Sequence, residues 1–169
     1  GTGAVVCWGD SYFGQAPSPP SVNGTSGSAT AIAAGQFSSC ALQSGTGFAI
    51  CWGEHEARST PPSSVNGTSG GATAISSYYR RTCAIQSGTG AVVCWGDSGY
   101  GLSPPPSVNG TSGTATAIAA GWGYSCAIQS GTGAVVCWGS DSHGESTPPS
   151  SVNGTSGSAT VWQVDFSDF

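Results

Sequence analysis

Seven cysteines, four Asn-Gly-Thr tripeptides and two histidine-bearing acidic loops are the groups in this 169-residue chain whose types and spacing could do chemistry. The tripeptides, at Asn23, Asn66, Asn109 and Asn153, are acceptor sequons for N-linked glycans, although an Asn-Gly pair is also an ordinary turn. Glu54-His55-Glu56 and Asp141-Ser142-His143-Gly144-Glu145 carry the side chains of a metal or acid–base site. The corresponding stretches Asp10-Ser11-Tyr12-Phe13 and Asp97-Ser98-Gly99-Tyr100 contain no histidine, so solvated loops account for all four better than a shared centre does. No Walker loop and no His-Glu-x-x-His motif accompanies them. Neither catalysis nor a metal or cofactor is expected.

The cysteines are organised by a repeat. Cys-Trp-Gly begins at Cys7, Cys51, Cys94 and Cys137, spaced 44, 43 and 43 residues, and the sequons are spaced 43, 43 and 44. A second cysteine recurs every 43 residues at Cys40, Cys83 and Cys126. A fixed period in this range marks a repeat architecture. Sequon to second cysteine is always 17 residues, whereas Cys-Trp-Gly to the next sequon is 15 or 16, which makes the latter segment a loop. It holds both histidines and six of the eight acidic residues, so the variable chemistry sits where insertion is tolerated.

Within one unit, Ser125-Cys126-Ala127-Ile128-Gln129 and Ala134-Val135-Val136-Cys137-Trp138 flank Ser130-Gly131-Thr132-Gly133, which reads as a β-hairpin. With Gly131-Thr132 central in the turn, Cys126 stands directly across from Cys137. The same register sets Cys40 against Cys51 and Cys83 against Cys94. Cysteines facing across antiparallel strands are within disulfide reach, and no close cysteine pair or histidine at ligand spacing accompanies them to hold zinc. Three disulfides are therefore expected, each worth about 2–3 kcal/mol. They imply an oxidising compartment, as do four sequons in register, so the chain is expected to be secreted with glycans covalently attached. Cys7 is left over. Its partner would lie before Gly1, which leaves it free, bonded between chains, or bonded to residues outside this sequence.

The elements that must position these groups are short strands. Charged residues are 7% of the chain, there is no Lys or Met, and Gly, Ser, Thr and Ala dominate, a composition unsuited to helical bundles. Ala115-Thr116-Ala117-Ile118-Ala119 alternates as a strand, and no segment has a capped 3.6-residue pattern. The expectation is an all-β chain of tandem ~43-residue repeats forming propeller-like blades, as a small ring, an open arc or part of a longer array. Residues 1–169 read as one repeat domain of about four units, with breaks near 17–20, 61–64, 104–107 and 148–151. The last copy gives way to Val161-Trp162-Gln163-Val164-Asp165-Phe166, read as a capping strand. A net charge of −5 offers no footprint for nucleic acid, and no run of about 18 apolar residues spans a membrane.

Ala31-Ile32-Ala33-Ala34-Gly35, Ser39-Cys40-Ala41-Leu42 and Cys51-Trp52-Gly53, with Cys7-Trp8-Gly9-Asp10-Ser11-Tyr12-Phe13-Gly14-Gln15, resemble the repeats of the regulator of chromosome condensation family. The resemblance implies a β-propeller with one blade per unit, of the cysteine-bearing secreted type. The family's histidine is replaced by Ser38, Arg81 and Tyr124, and the second unit has Ser76-Ser77-Tyr78 in place of Ala-Ala-Gly. Nothing matches the surface by which the nuclear member engages its partners, so that function does not carry over. Pro19, Pro20, Pro61, Pro62, Pro104, Pro105, Pro106, Pro148 and Pro149 lie in Ser-Pro-rich segments similar to those of plant and green-algal wall glycoproteins. That similarity implies hydroxylated and O-glycosylated prolines; the plainer reading is a stiff polyproline linker.

Trp8, Trp52, Trp95 and Trp138 share one strand position and are expected to pack between blades. Tyr78-Tyr79-Arg80-Arg81 occurs once and holds two of the three cationic residues; with Trp122 and Tyr124 on the matching turn it is a candidate contact surface. The leading expectation is a non-catalytic structural or assembly module of an extracellular surface, matrix or filamentous appendage, self-associating or meeting other extracellular glycoproteins. The alternative is a propeller binding module of lectin or protein-binding type.

Overall fold

The computed structural model describes residues 2–54, 60–99 and 101–159. His55, Glu56, Arg58, Tyr100 and the expected capping strand at 161–166 lie outside them. Nine strands form three sheets in chain order: β1 (Ala29–Ala34), β2 (Ser38–Gln43) and β3 (Ala49–Gly53); β4 (Ala72–Tyr78), β5 (Arg81–Gln86) and β6 (Val92–Gly96); β7 (Ala115–Ala120), β8 (Tyr124–Gln129) and β9 (Val135–Gly139). Each sheet is an antiparallel meander of three strands. The described residues contain no helix. The chain is all-β and built of propeller-like blades.

The second turn of each blade sets the cysteine register. The Gln129 amide donates to Ala134 O at 2.8 Å and closes the four-residue turn, in which Gly131 and Gly133 take φ of 81° and 67°. Bonded and non-bonded pairs alternate along an antiparallel ladder. Counting from Gln129–Ala134, the Cys126–Cys137 pair is non-bonded, where Cα atoms approach most closely. Cys126–Cys137, Cys83–Cys94 and Cys40–Cys51 are disulfides with Cα separations of 4.1 Å.

Successive blades bury one another. β1 packs on β4 and β4 on β7, while β2 lies against β4 and β5 against β7. Between the first two sheets, Cys40, Leu42, Val65, Ala72, Ala84 and Trp95 form one core; Cys83, Ile85, Val108, Ala115, Ala127 and Trp138 repeat it between the next two. A smaller copy joins Val5 and Val22 to Ala41, Ile50 and Trp52. The disulfides are part of these seams: Cys83 Sγ lies 3.5 Å from Ser125 Oγ of the next sheet, and Cys40 Sγ 4.0 Å from Thr82 Oγ1. Three tryptophans thus pack between blades, whereas Trp8 is 86% exposed. Cys7 is half-buried and forms no disulfide among the described residues.

The Ser-Pro segments are turns rather than open polyproline. Pro19 O accepts the amides of Val22 and Asn23 at 3.0 and 3.1 Å, and Pro62, Pro105 and Pro149 do the same in the other copies. A polyproline helix has no such internal bonds.

Candidate functional site

Strand direction sorts the loops to two ends of each blade. β1 starts beside the sequon loop and finishes at the β1–β2 turn; β2 returns to the hairpin tip, and β3 runs back again. Sequons and hairpin tips therefore share one end. The first turns and the loops after Cys-Trp-Gly share the other, about 20 Å away for strands of six residues.

At the sequon end, each asparagine clamps its own turn. Asn23, Asn66, Asn109 and Asn153 donate Nδ2 to the carbonyls of Ser18, Pro61, Pro104 and Pro148 at 3.0–3.2 Å. Their Oδ1 atoms accept the amides of Thr25, Thr68, Thr111 and Thr155. The glycine that follows takes φ near 90° in every copy. All four asparagines are half-buried, while the threonines are exposed. Gly67-Thr68-Ser69-Gly70-Gly71 has the spelling of a nucleophile elbow, but no strand leads into it and no helix follows.

The opposite end is shaped by the glycine of Cys-Trp-Gly. Gly53, Gly96 and Gly139 take φ of 113°, 110° and 116°, which only glycine adopts freely. A Cβ on Gly96 would lie 2.2 Å from Arg80 O, and one on Gly53 2.4 Å from Phe37 O. This close approach lets the next amide bond the first turn: Glu54 N to Phe37 O at 2.7 Å, Asp97 N to Arg80 O and Ser140 N to Gly123 O. The acidic loop of each blade is thereby tied to its aromatic turn.

A row of rings runs across this end. Tyr12 contacts Phe13 and Phe13 contacts Phe37, both at 4.9 Å between centroids, and Phe37 is 6.5 Å from Tyr79. The Arg80 guanidinium lies 5.1 Å from the Phe37 centroid and 5.5 Å from that of Tyr79, with Nη2 3.7 Å from Glu54 Oε1. Tyr79 is the one non-glycine with positive φ among the described residues, at 53°. Its counterparts Gln36 and Trp122 do not share this backbone. The Gln36 amide donates to Tyr79 O at 2.9 Å and holds it there. Tyr78, Tyr79 and Trp122 line a cleft of about 340 Å³ together with Ala34, Gly35 and Gln36.

The candidate contact residues divide. Tyr78, Tyr79 and Trp122 are 42%, 39% and 54% exposed, whereas Arg81 and Tyr124 are buried at 5% and 6%. Burial pushes the Arg81 guanidinium below its ordinary pKa, with Asp97 opposing the shift, and it raises the Tyr124 phenol with help from Glu145 and Tyr78. Tyr12, Phe13, Glu54 and Asp97 join the site although their sequence positions read as solvated loop. The loop at 141–147 folds on itself: Asp141 accepts from Thr147 Oγ1 and the Ser146 amide, and Glu145 from Ser140 Oγ and the His143 amide. Among the described residues no cluster of three metal-ligating side chains occurs, and no helix is long and apolar enough to cross a membrane.

The chain is similar in fold to the CRINKLY WD40 ectodomain of the Arabidopsis thaliana receptor kinase ACR4, with TM-score 0.59 and 24% identity over 82% of this chain and 44% of that one. It is similar also to the entire ectodomain of the Physcomitrella patens receptor kinase CR4, with TM-score 0.54 and 24% identity over 70% and 30%. Human WBSCR16 matches with TM-score 0.53 and 17% identity over 70% and 34%. The chain spans less than half the length of each of these structures. No family profile and no curated protein matches it.

Proposed function

We propose that this chain is a secreted, non-catalytic propeller module of regulator-of-chromosome-condensation-type repeats that binds a partner through the aromatic–arginine end of its blades and carries glycans at the sequon end. The observation that carries the reading is the row of rings from Tyr12 and Phe13 through Phe37 to Tyr79, with Trp122 lining the cleft beside it, contributed by one loop and three successive turns at one end. Exposed aromatics beside arginine are the composition of binding hot spots. The strained backbone at Tyr79 supports it, because such strain is retained where neighbouring structure over-determines a functional geometry. Two of the solved structures sharing the fold are receptor-kinase ectodomains, a setting that suits buried disulfides and N-linked sequons. Glycans on Asn23, Asn66, Asn109 and Asn153 would leave the aromatic end bare. The structural or assembly role is the competing reading.

The test presents purified protein to arrayed extracellular glycans and ectodomains, alongside a Trp122→Ala/Tyr79→Gly variant and a sequon-end variant with Thr25, Thr68, Thr111 and Thr155 changed to Ala. Retention that disappears in the first variant and persists in the second is expected. Absence of retention, with the protein sedimenting as filaments, would favour the assembly role.

A further inference from the structure

A second recess, of about 30 Å³, shares Tyr78, Tyr79 and Trp122 with the cleft of about 340 Å³ and is lined further by Arg80, Arg81, Asp97 and Gly123. It has room for about one hydroxyl group. Two guanidinium nitrogens of these arginines, Arg81 Nη1 and Arg80 Nε, are buried without a hydrogen-bond partner. Buried donors are almost always satisfied, so this orphaned pair, closed to a water-sized probe as it stands, points to a ligand atom that a small shift of the guanidiniums would meet. Asp97 supplies an acceptor, its Oδ1 also taking the Gly99 amide.

Charge decides the class of ligand. Arg80 and Arg81 are matched by Glu54 and Asp97, so among the described residues the site is neutral and favours no anion. A hydroxyl accepts from a guanidinium and donates to a carboxylate at once, as a primary amide also does, and a recess of about 30 Å³ suits the smaller hydroxyl. The rings above it offer flat apolar faces, and the cleft lies at the small end of the range for ligand sites, roughly 300–1,000 Å³. A pyranose presents both features: an apolar face of C–H bonds that stacks on aromatics, and equatorial hydroxyls at its edge.

We infer that the cleft between Tyr78, Tyr79 and Trp122 and the Arg81–Asp97 recess form a subsite for a neutral, polyhydroxylated sugar ring within a glycan chain. The inference rests on the recognition face proposed above and gives its ligand a chemical class. The ring stacks in the cleft and one hydroxyl enters the recess.

Titration calorimetry of the intact chain with cellohexaose, mannohexaose and a galactan hexasaccharide tests it, with hexagalacturonate as the charged comparison. At least one neutral chain is expected to bind saturably below about 1 mM. Trp122→Ala, a change at a 54% exposed residue with the variant's fold checked by its melting curve, is expected to weaken binding at least about tenfold, and the shape-preserving Asp97→Asn about fivefold. Hexagalacturonate is expected to bind no more tightly than the neutral chains. Absence of binding by every neutral chain at about 10 mM, or affinity unmoved by both substitutions, would overturn the sugar subsite. If the arrays instead retain an ectodomain through the aromatic face, the sugar inference fails while the recognition face stands.

Discussion

The Arg80 guanidinium sits 5.1 Å from the centroid of the Phe37 ring, which belongs to the preceding blade, and the same group reaches Glu54. This arrangement fastens two successive first turns together at the outer surface. A cation over an aromatic face contributes about 0.5–1 kcal/mol at exposed sites. A double-mutant cycle of Arg80→Ala and Phe37→Ala, read by denaturant unfolding, should return a coupling of that size. Raising salt should weaken the Glu54 contact more than the ring contact, because the Arg80 side chain is partly exposed.

The left-handed backbone at Tyr79 costs a non-glycine residue about 1–2 kcal/mol. Tyr79→Gly and Tyr79→Val both remove the ring, so their difference isolates the backbone. The valine variant should be less stable than the glycine variant by about 1–2 kcal/mol in thermal or denaturant melts. Equal stability would mean that Tyr79 is not held at positive φ.

Each disulfide closes a loop with a sequence separation of 11. The expected loss on replacing Cys83 and Cys94 together by Ala is about 3 kcal/mol from the unfolded state. Because Cys83 is fully buried in the seam between the second and third sheets, a further cavity cost follows. The double alanine variant should therefore loosen blade–blade packing, seen as faster amide exchange in β7 and β8 as well as in β5 and β6.

The sequon asparagine and threonine have separable roles. Asn109→Ala removes the Nδ2 bond to Pro104 O and the Oδ1 bond to the Thr111 amide, which should cost about 1–2 kcal/mol whether or not a glycan is present. Thr111→Ala deletes an exposed side chain and should remove the glycan mass at Asn109 with little change in melting. Intact mass and melting curves of the two variants, made in a secretory host, distinguish the roles.

The Asp141 and Glu145 carboxyls are held below their ordinary pKa values, chiefly by the Thr147 hydroxyl for Asp141 and by backbone amides for Glu145. A depressed acid lends its stability above the ordinary carboxylate range and loses it as pH falls through the depressed value. The loop at 141–147 should thus keep its order from neutral pH to about pH 4 and lose it below, visible in the amide shifts of His143 and Ser146.

The blade was legible because its signals were local and repeated. A four-residue turn with glycines in the second and fourth places puts Cys126 across from Cys137, and the structure has that register in all three hairpins. The burial of Trp95 and Trp138 followed from their shared strand position. The site was legible only in outline. Tyr78, Tyr79 and Trp122 stood out by composition, but the partners of the arginines come from a loop that follows a different strand. Only the positive φ of Gly53 and Gly96 brings Glu54 and Asp97 back to the turns. The glycine of Cys-Trp-Gly was the signal for this approach, and its role becomes visible once the carbonyls of Phe37 and Arg80 are placed against it.

The measurement that bears most directly on the recognition face is the paired comparison of Trp122→Ala/Tyr79→Gly with the four-threonine sequon-end variant on arrays of extracellular glycans and ectodomains. Loss of retention confined to the aromatic variant, with both variants folded, is the predicted result. Retention that survives in the aromatic variant, or that falls with the sequon-end variant instead, would contradict the account.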